Sequence, residues 1–199
     1  MPDFSEEEAL WNRGLTRVAG VDEVGRGPLA GPVVAAAVLL SPDTVPEGLD
    51  DSKKLSATSR AKLFEQVMAT AHVAVGQASV EEIDDLNILY ASHLAMERAV
   101  DGLGPVEHAL IDGNMIPKGL DCSATALVKG DGRSFSIAAA SIIAKVTRDR
   151  IMVDLAQQYP GYGWEQNAGY PTKLHRDALA RLGVTPHHRL SFKTVHNML

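Results

Sequence analysis

The sequence predicts an α/β layer structure with a helical C-terminal part. Three observations predict it. Short apolar strand-like runs alternate with helical segments as far as Val128, one unbroken helical pattern spans about Ser136 to Tyr159, and beyond Pro160 only helix and loop signals remain. No repeat, low-complexity stretch or linker divides the 199 residues. The chain therefore reads as one domain over 1–199, with residues about 160–199 as its helical part.

The acidic opening Ser5-Glu6-Glu7-Glu8 suits a short helix. Arg17 to Val24 reads as a strand, Gly25 to Pro32 as a glycine- and proline-rich turn, and the valine-rich run Val33 to Leu40 as a buried second strand that pairs with the first. Ser56 is a cap for a helix over Ala57 to Ala69. Val73 to Ala78 suits a strand, and Ser79-Val80-Glu81-Glu82 is a capping-box start to a short helix. Asn87 to Val100 puts Ile88, Leu89, Ala91, Leu94, Ala95 and Ala99 on one helical side. His108 to Asp112 and Ala124 to Val128 are brief strands. The long helix follows, and its Ala138-Ala139-Ala140 run would let it lie close against a sheet. A further helix is expected near Thr172 to Leu182, before a loop containing Pro186-His187-His188-Arg189.

The net charge of −6 is segregated: residues 1–50 carry −6, residues 51–128 carry −5 and residues 129–199 carry +5. A basic C-terminal end suits a polyanion, and an acidic remainder suits cations. The acidic start lacks the basic and apolar blocks of a secretory signal, and no apolar run approaches the roughly 20 residues of a membrane span. A soluble, cytoplasmic protein with no membrane partner is expected. Cys122 is the only cysteine, which rules out an intrachain disulfide and a thiolate zinc site.

The positions of the acids carry most of the chemical information. Asp22 and Glu23 end one strand, Asp112 ends another, and Asp131 precedes the long helix. Ligand sites of open α/β sheets gather at such ends, where four carboxylates would come within a few ångströms of one another. Acids crowded in this way repel unless a cation neutralises them, and hard oxygen ligands favour Mg²⁺ or Mn²⁺. Acids at strand ends are also common simply because those ends are exposed. In addition, neighbouring strand residues point to opposite faces, so Asp22 and Glu23 share one site only if the strand ends or twists there.

The Gly25-Arg26-Gly27 turn is not a dinucleotide fingerprint, because a strand and not a helix follows it. Its glycines suit close approach of backbone amides to a ligand. Lys53 and Lys54 precede a helix, where they suit phosphate contact or a solvated loop. Ser141, Lys145 and Arg148 share a helix face that could line a nucleic-acid backbone or simply face solvent. Tyr170, in a polar glycine-bearing loop, suits stacking on a base or sugar. His187-His188 is a poor metal pair, since adjacent histidines rarely converge on one ion.

Seven blocks resemble the type 2 ribonuclease H family, in its bacterial ribonuclease HII branch. They are Ala19-Gly20-Val21-Asp22-Glu23-Val24-Gly25-Arg26-Gly27-Pro28, continuing to Val33; Asp51-Ser52-Lys53-Lys54-Leu55; Ile111-Asp112-Gly113-Asn114; Lys129-Gly130-Asp131; Ser141 to Arg150; Gly169-Tyr170-Pro171-Thr172-Lys173-Leu174-His175; and His188-Arg189-Leu190-Ser191-Phe192. The resemblance implies a ribonuclease H-like mixed sheet flanked by helices. It also implies endonucleolytic cutting of RNA in RNA–DNA hybrids, and cutting 5′ of single ribonucleotides in duplex DNA, to leave 3′-hydroxyl and 5′-phosphate ends. One Mg²⁺ or Mn²⁺ pair would serve as cofactor.

By the same resemblance, Asp22, Glu23, Asp112 and Asp131 match the catalytic, metal-binding acids. Gly25, Arg26 and Gly27 match the reader of the 2′-hydroxyl, and Tyr170 matches a tyrosine that stacks at the RNA–DNA junction. Lys53, Lys145 and Arg148 fall in substrate-contact motifs. Many relatives carry a lysine just before Gly169, where this chain has Asn167-Ala168. A non-catalytic hybrid-binding module is the rival, but it should have lost one of the four acids. A sliding-clamp contact through the tail ending in Asn197-Met198-Leu199 stays open, and a monomer is expected.

Overall fold

In the computed structural model, which describes residues 1–199, the first two strands pair as an antiparallel hairpin. Val18–Val24 (β1) runs against Val33–Leu39 (β2), with Asp22 opposite Ala36. His72–Ala78 (β3) continues the antiparallel side, Val33 opposite Ala78. On the other edge, His108–Asp112 (β4) lies parallel to β1, and Ser123–Leu127 (β5) lies parallel to β4. The five-stranded order β3-β2-β1-β4-β5 is thus a mixed sheet.

A strand reading Val-Val-Ala-Ala-Ala-Val-Leu has no polar face, so both of its faces must be covered. Val33, Ala35 and Ala37 of β2 meet Ala91, Ala95 and Ala99 of the helix Ile88–Gly102 (α4). Ala36 and Val38 meet Ala138 to Ala140, Ile142 and Ile143 of Phe135–Gln158 (α5), with Leu63 and Phe64 of Ala57–Thr70 (α2) beside them. Full burial of each of the larger aliphatic side chains contributes about 1.5–3 kcal/mol. The alanine run does what its size permits. A Cβ on Gly20 of β1 would stand 2.1 Å from the Ser136 carbonyl carbon, so helix and strand backbones touch there.

Helix starts follow the capping chemistry of the sequence. Ser56 accepts from the Ser59 amide at 3.1 Å. Ser79 and Glu82 form a reciprocal capping box at the start of Val80–Leu86 (α3). Ser134 accepts from the Ile137 amide at 3.1 Å to open α5. The acidic helix Ser5–Trp11 (α1) buries Glu7, whose Oε1 accepts from Ser134 Oγ at 2.6 Å and from the Ser136 amide at 2.9 Å, satisfying donors that a helix N-terminus leaves open.

Beyond α5 the chain forms Trp164–Asn167 (α6), Lys173–Leu182 (α7) and Lys193–His196 (α8). Of these, α7 is the helix expected near Thr172 to Leu182; α6 and α8, four residues each, are too short to show a helical period. Tyr162, Trp164, Leu179 and Val195 join Leu29, Ala30, Met152 and Leu155 in one apolar cluster. That cluster seats the C-terminal segment on the turn after β1. No helix is long and apolar enough to cross a membrane.

Because the strand–helix contact at Gly20 is backbone against backbone, Gly20→Ala is expected to cost on the order of 3 kcal/mol in urea unfolding. A loss below about 0.5 kcal/mol would show that the contact yields easily.

Candidate active site

The parallel pairing of β1 with β4 brings Asp22 and Asp112 to neighbouring positions near the C-terminal ends of these central strands. Asp131 arrives from the 3₁₀ turn Gly130–Gly132, entered through Lys129 in the left-handed region at φ 56°. That turn is tied to β4, because the Gly130 amide donates to Asp112 Oδ1 at 2.7 Å. One carboxylate oxygen from each of Asp22, Asp112 and Asp131 lies within 4.8 Å of the others.

Glu23 is not in that group, which corrects the expectation of four carboxylates converging at one point. Strand alternation turns it to the other side, where it lines a pocket with Arg26, Ser92, His93, Asp112 and Asn114. Arg26 NH1 lies 3.5 Å from its carboxylate. Asp112 borders both places.

Electrostatics match the crowding. Burial first, then the charges of Glu23, Asp112 and Asp131, hold the Asp22 carboxyl well above the usual carboxylate range. Burial also raises Glu23, opposed by Arg26 and reinforced by Asp112. Asp131 is raised by burial and by Asp112, with Lys53 pulling the other way. Lys53 Nζ is 3.6 Å from Asp131 Oδ2 on a side chain 79% exposed, so the ammonium stands at the rim. Its loop is anchored below, the Ser52 amide donating to Ser141 Oγ at 3.3 Å and Arg60 donating to the Ser52 carbonyl at 2.8 Å. Ser141 is therefore a support beneath that loop and is itself buried.

The glycine turn is shaped by two arginines that no carboxylate pairs. Arg189 is fully buried and donates to the carbonyls of Gly25, Arg26, Pro28 and Gly31 at 2.6–3.1 Å. Arg148, also fully buried, donates to Pro32, Ala30 and Ala168. Burial pulls Arg189 down to about 9 and Arg148 down to about 10. Carbonyl dipoles take the place of water and counter-ion around both charges. Gly25 sits at φ 96°, and a Cβ there would lie 2.1 Å from Arg148 Nε, so both conformation and space demand glycine. None of the backbone hydrogen bonds outside helices and strands uses the amides of Gly25, Arg26 or Gly27 as donors.

Arg148 is therefore corrected from a backbone-track residue to a clamp inside the protein. A solvent-facing role would need an exposed guanidinium, and this one is spent on carbonyls. Lys145 is partly exposed and pairs with Asp149 at 2.8 Å, one turn along α5. Tyr170 is 41% exposed beside the glycine turn, and a Cβ on Gly27 would lie 3.3 Å from its ring. Arg189 and Glu7 escaped the sequence reading. A buried arginine in a loop and a buried glutamate in an acidic run look like their solvated neighbours, and only Arg189's place in the His188-Arg189-Leu190-Ser191-Phe192 block marked it at all.

The family described as Ribonuclease HII matches residues 19–195. The ribonuclease HII of Ruegeria pomeroyi is 68% identical over 199 residues, covering 100% of this chain and 85% of the relative. Among solved structures, the ribonuclease HII of Archaeoglobus fulgidus, determined as a complex with PCNA, superposes with a TM-score of 0.77 at 30% identity, covering 91% of this chain and 96% of that one. Ribonuclease H2 from Pyrococcus horikoshii superposes with a TM-score of 0.73 at 29% identity, covering 92% and 96%. Read with the acid cluster at the ends of the central strands, these matches place the chain in the ribonuclease HII family of metal-dependent endoribonucleases.

Proposed function

We propose that this chain hydrolyses the RNA strand of RNA–DNA hybrids and cuts on the 5′ side of single ribonucleotides in duplex DNA, leaving 3′-hydroxyl and 5′-phosphate ends. The observation that carries the reading is the group of three aspartates within 4.8 Å of one another, a few residues from a turn whose amides are unused. The donor set fits Mg²⁺ or Mn²⁺: oxygen ligands only, on aspartates whose carboxyls are raised first by burial and then by one another's charge. Asp112 borders both the aspartate group and the pocket lined by Glu23, which suits two cation positions sharing Asp112. Two such ions would supply positive charge for the attacking and leaving oxygens of an in-line displacement at phosphorus.

The remaining residues bind and orient. The amides of Gly25, Arg26 and Gly27, which have no backbone acceptor within the protein, would donate to a 2′-hydroxyl, the group that distinguishes RNA from DNA at one nucleotide. The exposed Tyr170 ring beside them supplies a stacking surface at the junction. Lys53 stands where a phosphate nearing Asp131 would meet it, and Lys145, one helical turn along α5 from the Ser141 that supports the Lys53 loop, would add a second cation. The net charge of +3 over residues 160–199, five Lys and Arg against two acids, supports the C-terminal segment as the part that holds the duplex.

A labelled DNA duplex with one ribonucleotide tests this directly. Metal-dependent cutting on the 5′ side of the ribonucleotide, absent with EDTA and from an all-DNA duplex, is expected; equal cutting of the all-DNA duplex would refute the 2′-hydroxyl reading. Asp22→Asn should abolish cutting.

The same substitution has an opposite effect on the fold. The folded-state pKa of Asp22 is raised, so its protonated form favours folding at low pH, and that contribution is lost as pH rises through the raised value. At neutral pH the ionised Asp22 therefore costs stability. Metal-free Asp22→Asn should melt higher than the metal-free parent at neutral pH, with the gap closing in acid. A lower melting temperature would contradict the charge crowding.

A further inference from the structure

His175 belongs to the Gly169-to-His175 block of the sequence, yet it lies away from the acids and fully buried. Its two ring nitrogens are both engaged. Trp164 Nε1 lies 3.0 Å from His175 Nε2, and an indole nitrogen only donates, so Nε2 is an acceptor. The single proton of the neutral ring then sits on Nδ1, 3.0 Å from the Tyr170 carbonyl, and donates to it. His188 fits the same pattern. Its Nδ1 accepts from the Thr185 amide at 3.0 Å, which leaves its proton on Nε2, 3.2 Å from His175 Nε2. Trp164 and His188 share the single lone pair of His175 Nε2, the indole at the shorter distance, and the chain of bonds runs on through His175 to the backbone of Tyr170.

Tyr170 needs such a hold. Its ring is exposed, it lies between Gly169 at φ 83° and Pro171, and its own amide donates to the Asn167 carbonyl at 2.9 Å. Other bonds fix the preceding side of the loop: the Leu29 amide donates to Gly169 O at 2.8 Å, and Arg148 donates to Ala168 O. On the following side, the Tyr170 carbonyl accepts from the Thr172 amide at 2.8 Å and from His175. Of these partners only His175 packs ring against ring, with Tyr162 and Trp164 edge-on to it.

We propose that His175 is a positioning residue for cleavage: its Nδ1–H, oriented by Trp164 and His188, holds the Tyr170 backbone so that the ring is preset beside the glycine turn. The inference rests on the reading of Tyr170 as the junction-stacking residue. A displaced ring would lower the yield of productive complexes, and misplacements of about 1 Å can cost up to a hundredfold in rate.

The test is a double-mutant cycle on kcat/KM for a duplex with one ribonucleotide, using Tyr170→Ala, His175→Ala and the double variant. His175→Ala is expected to lose roughly tenfold in the parent and less than twofold once Tyr170 is already alanine. His175→Asn, whose amide N–H falls near the Nδ1 position, should recover most of the loss, whereas His175→Gln, which mimics Nε2, should not. If His175→Ala melts below the assay temperature, the Asn and Gln variants alone carry the comparison at matched folded fraction. Equal losses in both backgrounds, or Gln matching or exceeding Asn, would overturn the proposal while leaving the Tyr170 reading intact. Parent-like activity of Tyr170→Ala would overturn that reading, and this proposal with it.

Discussion

Mutual repulsion of carboxylates held at the C-terminal ends of the central strands is the constraint on which the rest of this structure depends. Charges that close, with Asp22 almost removed from water, are tolerated only if the backbone cannot relax to separate them. The fold supplies that rigidity from several directions. β1 and β4 are central strands paired on both sides, the Gly130 amide fastens the Asp131 turn to Asp112, and Glu7 with Ser134 fixes the start of α5 just beyond it. The contact of Gly20 with α5 leaves no slack beneath. A site of this kind is pre-formed for a cation and unfavourable without one.

A second constraint lies on the other side of the glycine turn. Arg148 and Arg189 place two uncompensated positive charges in the interior, and backbone carbonyls satisfy them. Those carbonyls come from the turn after β1 and from the loop before Tyr170, while the arginines come from α5 and from the segment before α8. One network thereby joins the glycine turn, the long helix and the C-terminal segment. With the carbonyls of Gly25 and Arg26 turned inward to Arg189, the amides of the turn are left free for a ligand. An arginine fork makes several such bonds at once, which a lysine cannot do.

Much of this was legible in the sequence, and the exceptions have physical causes. The strands, the long helix and the capped starts at Ser56 and Ser79 announce themselves because apolar periodicity and capping are local. The mixed sheet was reached through family resemblance, since strand order is set by long-range pairing that no local spacing records. The aspartates were visible as acids at element ends, but the separation of Glu23 from them was visible only as the known alternation of a strand. The spacing of Ser141, Lys145 and Arg148 showed a shared helix face and not whether that face meets solvent or protein. The structure buries two of the three. Both ring nitrogens of His188 have partners within the protein, Thr185 and His175.

The central claim is that burial, reinforced by the neighbouring acids, raises the carboxyls of Asp22 and Asp131, and that a cation relieves them. Titration calorimetry of Mg²⁺ or Mn²⁺ into the metal-free protein, in two buffers of different ionisation enthalpy at mildly acidic pH, measures this directly. Cations bind deprotonated carboxylates, so groups with raised pKa values must give up protons on binding. The account predicts net proton release, seen as a buffer-dependent binding enthalpy, which diminishes as pH rises and shrinks in Asp22→Asn. Binding with the same enthalpy in both buffers would contradict it, because the carboxylates would then have been fully ionised before any cation arrived.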